Sequence, residues 1–472
     1  MIFSSVQFLY WFLPIVILLY FAVPWKLKNA VLLLASLVFY FFGEPVYTFL
    51  MLGSAFIGYL HGLIIDKVRG TKWAKVALIS SLVFGLGALG FFKYSNFFIT
   101  NINDIFHSKI GLLSLSLPIG ISFYTFQILS YTIDVYRGQA KVQKNPISFM
   151  AYVTLFPQLI AGPIVRYTDI AEQLKERVHR FDDIAYGIRR FIVGLSKKVL
   201  IANQLGELCD IFQSSGEQSV LFFWMYAVSV SLQIYFDFSG YSDMAIGLGR
   251  MFGFKFMENF NYPYISKSVT EFWRRWHISL GSWFRDYIYI PLGGNRVSKG
   301  RHLFNIFVVW FLTGFWHGAA WNFIIWGLYF AILLVFEKMY LLKKLENSKV
   351  LSRIYVLFTV LISFVIFNAP DMKTAFEDIG RLFGAGELPL TSTETMYYLK
   401  SYGVTIFVGI IGCMPVIPRI ADRIMNWTQK KQSAGVNVAI YFVKTAVLIT
   451  LVVLSTAYLV DGSFNPFLYF RF

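Results

Sequence analysis

The sequence predicts an all-α fold, a polytopic transmembrane helical bundle that also carries re-entrant and amphipathic helices. Three observations predict it. Hydrophobic residues fill 57% of the 472 positions and charged residues only 14%, with a mean hydropathy of +0.59. A soluble domain carries about 25% charged residues, so this chain cannot cover a water-facing surface. Apolar runs at or near the roughly 20 residues that a spanning helix needs recur from end to end. Lys and Arg concentrate in the short connections between those runs.

In order, the runs are 8–24, 31–40, 47–65, 76–92, 112–133, 151–164, 187–202, 220–237, 304–322, 324–336, 354–367, 402–417 and 438–460. Runs 31–40 and 151–164 are short, and read as tilted, re-entrant or buried segments. The first run lacks a basic leader and a small-residue cleavage site, so it reads as a retained helix. No linker of soluble composition interrupts the pattern, and the expectation is one domain, 1–472. No internal repeat is visible, which counts against an inverted-repeat transporter.

Lys and Arg number 42 against 26 acidic residues, a net charge of +16. In a soluble chain that excess would point to nucleic acid. Here the positive-inside rule accounts for it, and no nucleic-acid partner is expected. Lys26/Lys28, Lys67/Arg69/Lys72/Lys75, Arg137/Lys141/Lys144, Lys338/Lys343/Lys344 and Arg419/Arg423/Lys430/Lys431 are placed on the cytoplasmic side. The connections at 43–45, 95–109, 206–214 and 368–395 face outward. Cys209 and Cys413 offer neither a disulfide framework nor a metal spacing, and no metal is expected. Segments 167–190 and 250–301 mix charge with aromatics, as interfacial or cavity-lining amphipathic helices do. Arg189, Arg190, Lys197 and Lys198 punctuate the run 187–202, which therefore sits low in the membrane or lines a wet pocket.

Ionisable groups inside apolar segments are costly and default to functional candidates. The first is His317, in Phe315-Trp316-His317-Gly318-Ala319-Ala320-Trp321. On a helix, Thr313, Gly314, Ala320 and Trp321 would share its face. Small residues there admit either a substrate or a neighbouring helix, and spacing alone leaves both open. The second is Ser268-Val269-Thr270-Glu271-Phe272-Trp273-Arg274-Arg275-Trp276-His277. Ser268 and Glu271 have capping-box spacing, so a helix begins there, with Trp273, His277 and Phe284 on one face. Arg274 and Arg275 could grip a phosphate or anchor an interfacial helix to lipid.

The third candidate is Asp237, in Tyr235-Phe236-Asp237-Phe238-Ser239-Gly240-Tyr241-Ser242-Asp243. A buried carboxylate needs a partner, and an ion pair with Arg or Lys from the basic region accounts for it more simply than catalysis. Pro118, Gly120, Pro157, Gly162 and Pro163 break apolar runs, which is tolerated at depth only against protein or a wet cavity. Pro291-Leu292-Gly293-Gly294-Asn295-Arg296 lacks the Gly-Lys-Ser/Thr of a P-loop.

Taken in order, these stretches resemble the membrane-bound O-acyltransferase family, specifically its bacterial alginate O-acetylation branch. The matching stretches are 117–123, 134–138, 161–166, 237–243, 259–264, 273–280, 286–296 and Phe315-Trp316-His317-Gly318, about the central half of the chain. The resemblance implies a bundle around a central tunnel in a multi-pass bacterial cell-membrane protein, with a catalytic core at about 112–340. It implies His317 as principal catalytic residue and His277, 40 positions earlier, as its assisting or tunnel-lining partner. Arg274, Arg275, Trp273, Trp316, Asp237 and Asn295 form the candidate substrate-binding set.

The implied reaction takes an acyl group from a cytoplasmic thioester, acetyl-coenzyme A by expectation, with no bound cofactor. The acceptor is a hydroxyl of an envelope or exported polysaccharide. An extracytoplasmic acetyltransferase partner of the SGNH, serine-hydrolase-like type is implied too. No serine or cysteine nucleophile is paired with a histidine, so direct transfer is simplest; a covalent acyl-enzyme stays open. D-alanyl transfer to teichoic acid and non-enzymatic transport of an envelope precursor are the alternatives.

Overall fold

A computed structural model describes residues 1–431 and 434–461; the side chains of Glu346, Gln429, Lys430, Lys431 and Ala434 lie outside the described set. Among the described residues every regular element is a helix. Among these residues six helices are long and apolar enough to cross a membrane: Pro45–Lys67, Lys72–Phe106, Val220–Met251, Trp321–Leu345, Lys349–Asn368 and Gly435–Val460. The bent pair Thr393–Gly412 and Val416–Thr428, at 60°, would make a seventh. The protein is multi-pass. The chain forms two compact units, residues 1–191 with 244–257, and 192–243 with those from 258 onward.

The first unit contains α1 (Leu13–Ala22), α2 (Lys28–Phe41), α3 (Pro45–Lys67), α4 (Lys72–Phe106), α5 (Ile121–Arg137), α6 (Pro146–Thr154) and α7 (Tyr167–Lys175). Its core includes rings of Phe3, Phe8, Phe12, Phe39 and Phe156 with centroids 4.9 to 6.4 Å apart, within the range of favourable aromatic packing. The run 112–133 is not one span. The chain is irregular until Gly120, whose left-handed backbone (φ 76) opens α5. The run 151–164 likewise breaks, after Thr154 and again after the short turn Phe156–Leu159. Its freed polar groups are satisfied by protein: Phe156 N–H donates to Ser36 Oγ at 3.0 Å and Tyr152 Oη to the Val165 carbonyl at 3.1 Å. That is the condition for broken backbone in an apolar setting. It bears out the buried reading of this run.

The second unit takes the end of α8 (Phe181–Ser196), a wider π turn at Lys197–Ala202, α9 (Asn203–Ser214) and most of α10 (Val220–Met251). It continues with α11 (Val269–Arg275), α12 (Ile278–Phe284), α13 (Lys299–His317), α14 (Trp321–Phe336), α15 (Lys349–Asn368) and α16 (Met372–Leu382). α17 (Thr393–Gly412), α18 (Val416–Lys431) and α19 (Ala434–Val460) complete it. Segment 206–214, expected as a loop, is part of helix α9, and 368–395 contains α16. The expected span 304–322 ends at His317. Gly318 is extended, and the chain reverses into α14. A Cβ at Gly314 would collide with the Phe323 carbonyl, and one at Gly327 with that of Trp310. α13 and α14 therefore meet backbone to backbone. Of the two roles open to the small residues near His317, Gly314 serves helix packing.

Candidate active site

The site grows from α11. Its start is the one expected, with Ser268 Oγ accepting from Glu271 N–H at 3.0 Å. A second cap comes from Glu337, just beyond α14. Its buried carboxylate accepts from Val269 N–H (2.6 Å), Thr270 N–H (3.0 Å) and Thr270 Oγ1 (2.6 Å). Negative charge at a helix start meets the free N–H groups and the positive end of the dipole. α11 is thereby tied to the end of α14.

The helix then stops. Trp276 is extended and His277 takes a left-handed conformation (φ 45, ψ 53) before α12 begins. The expected single face carrying Trp273, His277 and Phe284 is therefore broken at 276–277. For a non-glycine residue such a backbone costs on the order of 1–3 kcal/mol and persists only where its surroundings enforce it. Asn259 does so. Its carbonyl accepts from Ile278 N–H at 3.0 Å. Its Oδ1 meets Ser279 N–H at 3.1 Å, Ser279 Oγ at 2.9 Å and His277 Nδ1 at 3.2 Å.

That last contact sets the chemistry of the ring. An amide oxygen only accepts, so Nδ1 carries the proton and Nε2 the lone pair. The segment lies outside the apolar spans, and His277 is 1% exposed. Burial pushes its pKa down from 6.5 to about 3, which keeps the imidazole neutral at physiological pH. The Phe238 ring lies edge-on at 4.6 Å.

His277 lines a cavity of about 620 Å³ together with Trp273, Arg274, Arg285, Trp310 and Thr313. Arg274 is exposed and lines a mostly apolar wall that also carries Thr270, Ser282 and Arg285. Arg285 is held by Asp286. The indole Nε1 of Trp273 is buried and, among the described residues, has no hydrogen-bond partner, a donor available to a ligand. Arg275 is spent elsewhere. It pairs with Glu271 at 2.9 Å and donates to the Asn261 carbonyl at 3.1 Å.

His317 closes α13 and is buried, 4% exposed. Trp316 (5.1 Å between centroids), Trp326 (5.1 Å) and Phe367 (5.4 Å) pack edge-on against it. Thr313 and Gly314 lie one turn before it, but the extended stretch after it removes Ala320 and Trp321 from the expected face. The Trp316 ring also meets His277, 6.0 Å between centroids. His317 itself is not among the residues lining the cavity.

Asp237 sits in α10 in a buried ion pair with Lys198, while Asp243 pairs with Lys197 at 2.7 Å. Both partners are lysines of the π turn after α8, which makes the ion pair expected between these carboxylates and a nearby basic residue. Asn295 is exposed in the turn before α13 and is not part of the cavity wall. That turn is pinned by Asn305, whose Nδ2 donates to the carbonyls of Leu292 and Gly294. Asn259, Glu337 and Asn305 escaped sequence reasoning. Asn259 opens a matching stretch, and Glu337 is a lone carboxylate at the end of an apolar run.

Residues 137–373 match the family described as MBOAT, membrane-bound O-acyltransferase family. The match contains the whole cavity wall and both histidines. The chain belongs to this family. A probable alginate O-acetylase AlgI of Azotobacter vinelandii is 38% identical over the full length of both chains. A peptidoglycan O-acetyltransferase of Helicobacter pylori is 36% identical, covering 83% of this chain and 81% of the relative. A teichoic acid D-alanyltransferase of Bacillus subtilis is 31% identical over 59% of this chain and 77% of the relative. As a membrane-bound O-acyltransferase the protein is an enzyme that uses an acyl donor as co-substrate, which sets aside the transport reading.

Proposed function

We propose that the enzyme moves acetyl groups from cytoplasmic acetyl-coenzyme A, across the bacterial cell membrane, for O-acetylation of a cell-envelope or exported polysaccharide. The observation that carries this reading is the neutral, tautomer-fixed His277 opening on a mostly apolar cavity that the exposed Arg274 also lines. Relatives named for acetyl transfer match over most or all of both chains, whereas the D-alanyl relative matches over just 59% of this one. That favours acetyl over D-alanyl.

In the proposed reaction the acceptor hydroxyl attacks the thioester carbonyl. His317 takes the hydroxyl proton, the C–S bond breaks, and the proton passes to the leaving thiolate. His277 lines the path and orients the reacting groups. Arg274 meets donor phosphate. An apolar, water-poor cavity protects the thioester from hydrolysis. An SGNH-type acetyltransferase outside the membrane completes delivery to the polymer. A second reading exchanges the histidines and makes His277 the base, because His277 is the imidazole that meets the cavity.

Purified enzyme in nanodiscs with radiolabelled acetyl-coenzyme A and a hydroxyl acceptor tests the donor. Label is expected to leave coenzyme A in an acceptor-dependent way. Label that stays put while a D-alanyl thioester is consumed would overturn the acetyl assignment. Asn259→Ala, which frees the His277 ring and its backbone, is expected to slow turnover by about 10-fold or more, short of the full acid–base contribution. Asn259→Asp retains an acceptor at Nδ1 and should recover much of the rate. Its added negative charge raises the His277 pKa, so the acid limb that His277 itself sets moves to higher pH.

A further inference from the structure

The second unit holds another concavity, of about 450 Å³, within the about 300–1,000 Å³ typical of ligand pockets. α17 stops at Gly412 and α18 leaves at 60° after Pro415. The break opens a groove against α10 and α15, walled by Leu232, Leu357, Leu361, Ile410 and the buried Cys413. The wall is almost wholly apolar. Two cations interrupt it, Arg353 in the first turns of α15 and Arg419 in the first turn of α18. Both are exposed, and among the described residues neither makes an ion pair or a side-chain hydrogen bond. Arg177, Arg250, Arg275 and Arg285 are all engaged by protein partners.

We infer that this groove binds one anionic phospholipid, its phosphate held by Arg353 and Arg419 and an acyl chain lying along Leu357, Leu361 and Cys413. The charge pattern fits that occupant. An apolar trough on membrane-spanning helices, ending in two uncommitted guanidinium groups, matches the two parts of a phospholipid, and guanidinium binds phosphate through paired donors. The sidedness agrees. Lys338, Lys343 and Lys344 precede α15 and Arg423 follows Arg419, so the positive-inside rule puts this end in the cytoplasmic leaflet, where basic pockets between helices recruit anionic headgroups. α18 is strongly amphipathic, with Ile417, Ile420 and Ile424 exposed, as befits a helix lying in the interface. The groove shares no lining residue with the candidate active site, so the inference stands apart from the proposed reaction.

Native mass spectrometry of the delipidated full-length protein tests it, with phosphatidylglycerol, phosphatidylethanolamine and inorganic phosphate added in separate arms. One phosphatidylglycerol per chain is expected, bound about tenfold or more tighter than phosphatidylethanolamine. R353Q/R419Q should abolish that preference, and L361W, which fills the trough and leaves both arginines, should abolish the bound lipid. The arginine variant changes exposed side chains only, so it decides the matter even if L361W misfolds. Equal retention of both lipids by wild type and R353Q/R419Q would reduce the groove to ordinary annular contact. Displacement of phosphatidylglycerol by inorganic phosphate alone would make it a free-anion site. Either result overturns the inference.

Discussion

His317→Ala is expected to lower acyl transfer by about 10²–10⁴-fold, the usual contribution of a positioned acid–base group, or about 2.7–5.5 kcal/mol of barrier. The ring is enclosed by Trp316, Trp326 and Phe367, so alanine also leaves a void and costs stability. His317→Gln separates the effects. It fills most of the space, keeps a polar group and cannot take up the proton. If both variants lose transfer in detergent-purified protein of normal melting temperature, the loss is chemical. His277→Ala should cost less under the proposed roles, and the double variant little more than His317→Ala, since groups acting in one step are not additive. The reverse ranking would move the base to His277. Burial already holds that ring neutral, with a pKa near 3, so its lone pair is available throughout the pH 5–8 window. An acid limb near pH 6 in wild type would therefore report another group, and its disappearance in His317→Gln would identify it.

The features legible in the sequence are those the bilayer dictates. Composition and apolar runs fix an all-α, multi-pass chain because backbone polar groups in lipid must be satisfied within helices. Helix interruptions were partly legible. Pro118, Gly120, Pro157 and Gly162 mark breaks that the structure contains, whereas the irregular stretch 112–117 and the stop at His317 lie hidden inside apolar runs. The local geometry of His277 was out of reach. Periodicity places it on the face of Trp273. Its left-handed backbone is set by Asn259, 18 positions earlier, a contact that leaves no trace in helical spacing. Glu337 is similar, since a cap donated across 68 positions looks locally like the frayed end of a span. The ordered motifs carry information that helical periodicity lacks. They brought His317 and His277 forward, and the fold sets both around Trp316. They also brought forward Arg275 and Asn295, which the fold commits to an ion pair and leaves on an exposed turn, respectively.

Asp237→Ala is expected to destabilise the protein by about 3–5 kcal/mol, the cost of stranding a buried charge. The side chains of Lys198 and Asp237 are 4% and 2% exposed. A Cβ at Gly240, in the next turn, would meet the Gly194 carbonyl at 2.8 Å, so α8 and α10 pack closely beside the pair. Asp243→Ala should cost less, because the Lys197–Asp243 pair is partly exposed and solvent screens what remains. Lys198→Met with Asp237→Leu removes both charges at similar volume and should recover most of the stability lost by Asp237→Ala alone. Thermal unfolding in detergent measures all of these. The comparison also decides what Asp237 is for. A carboxylate kept for architecture makes the charge-free pair fold and turn over. One that contacts substrate makes the same pair fold and stay inactive, and an Asp237→Ala protein of wild-type stability without transfer would return Asp237 to the substrate-binding set.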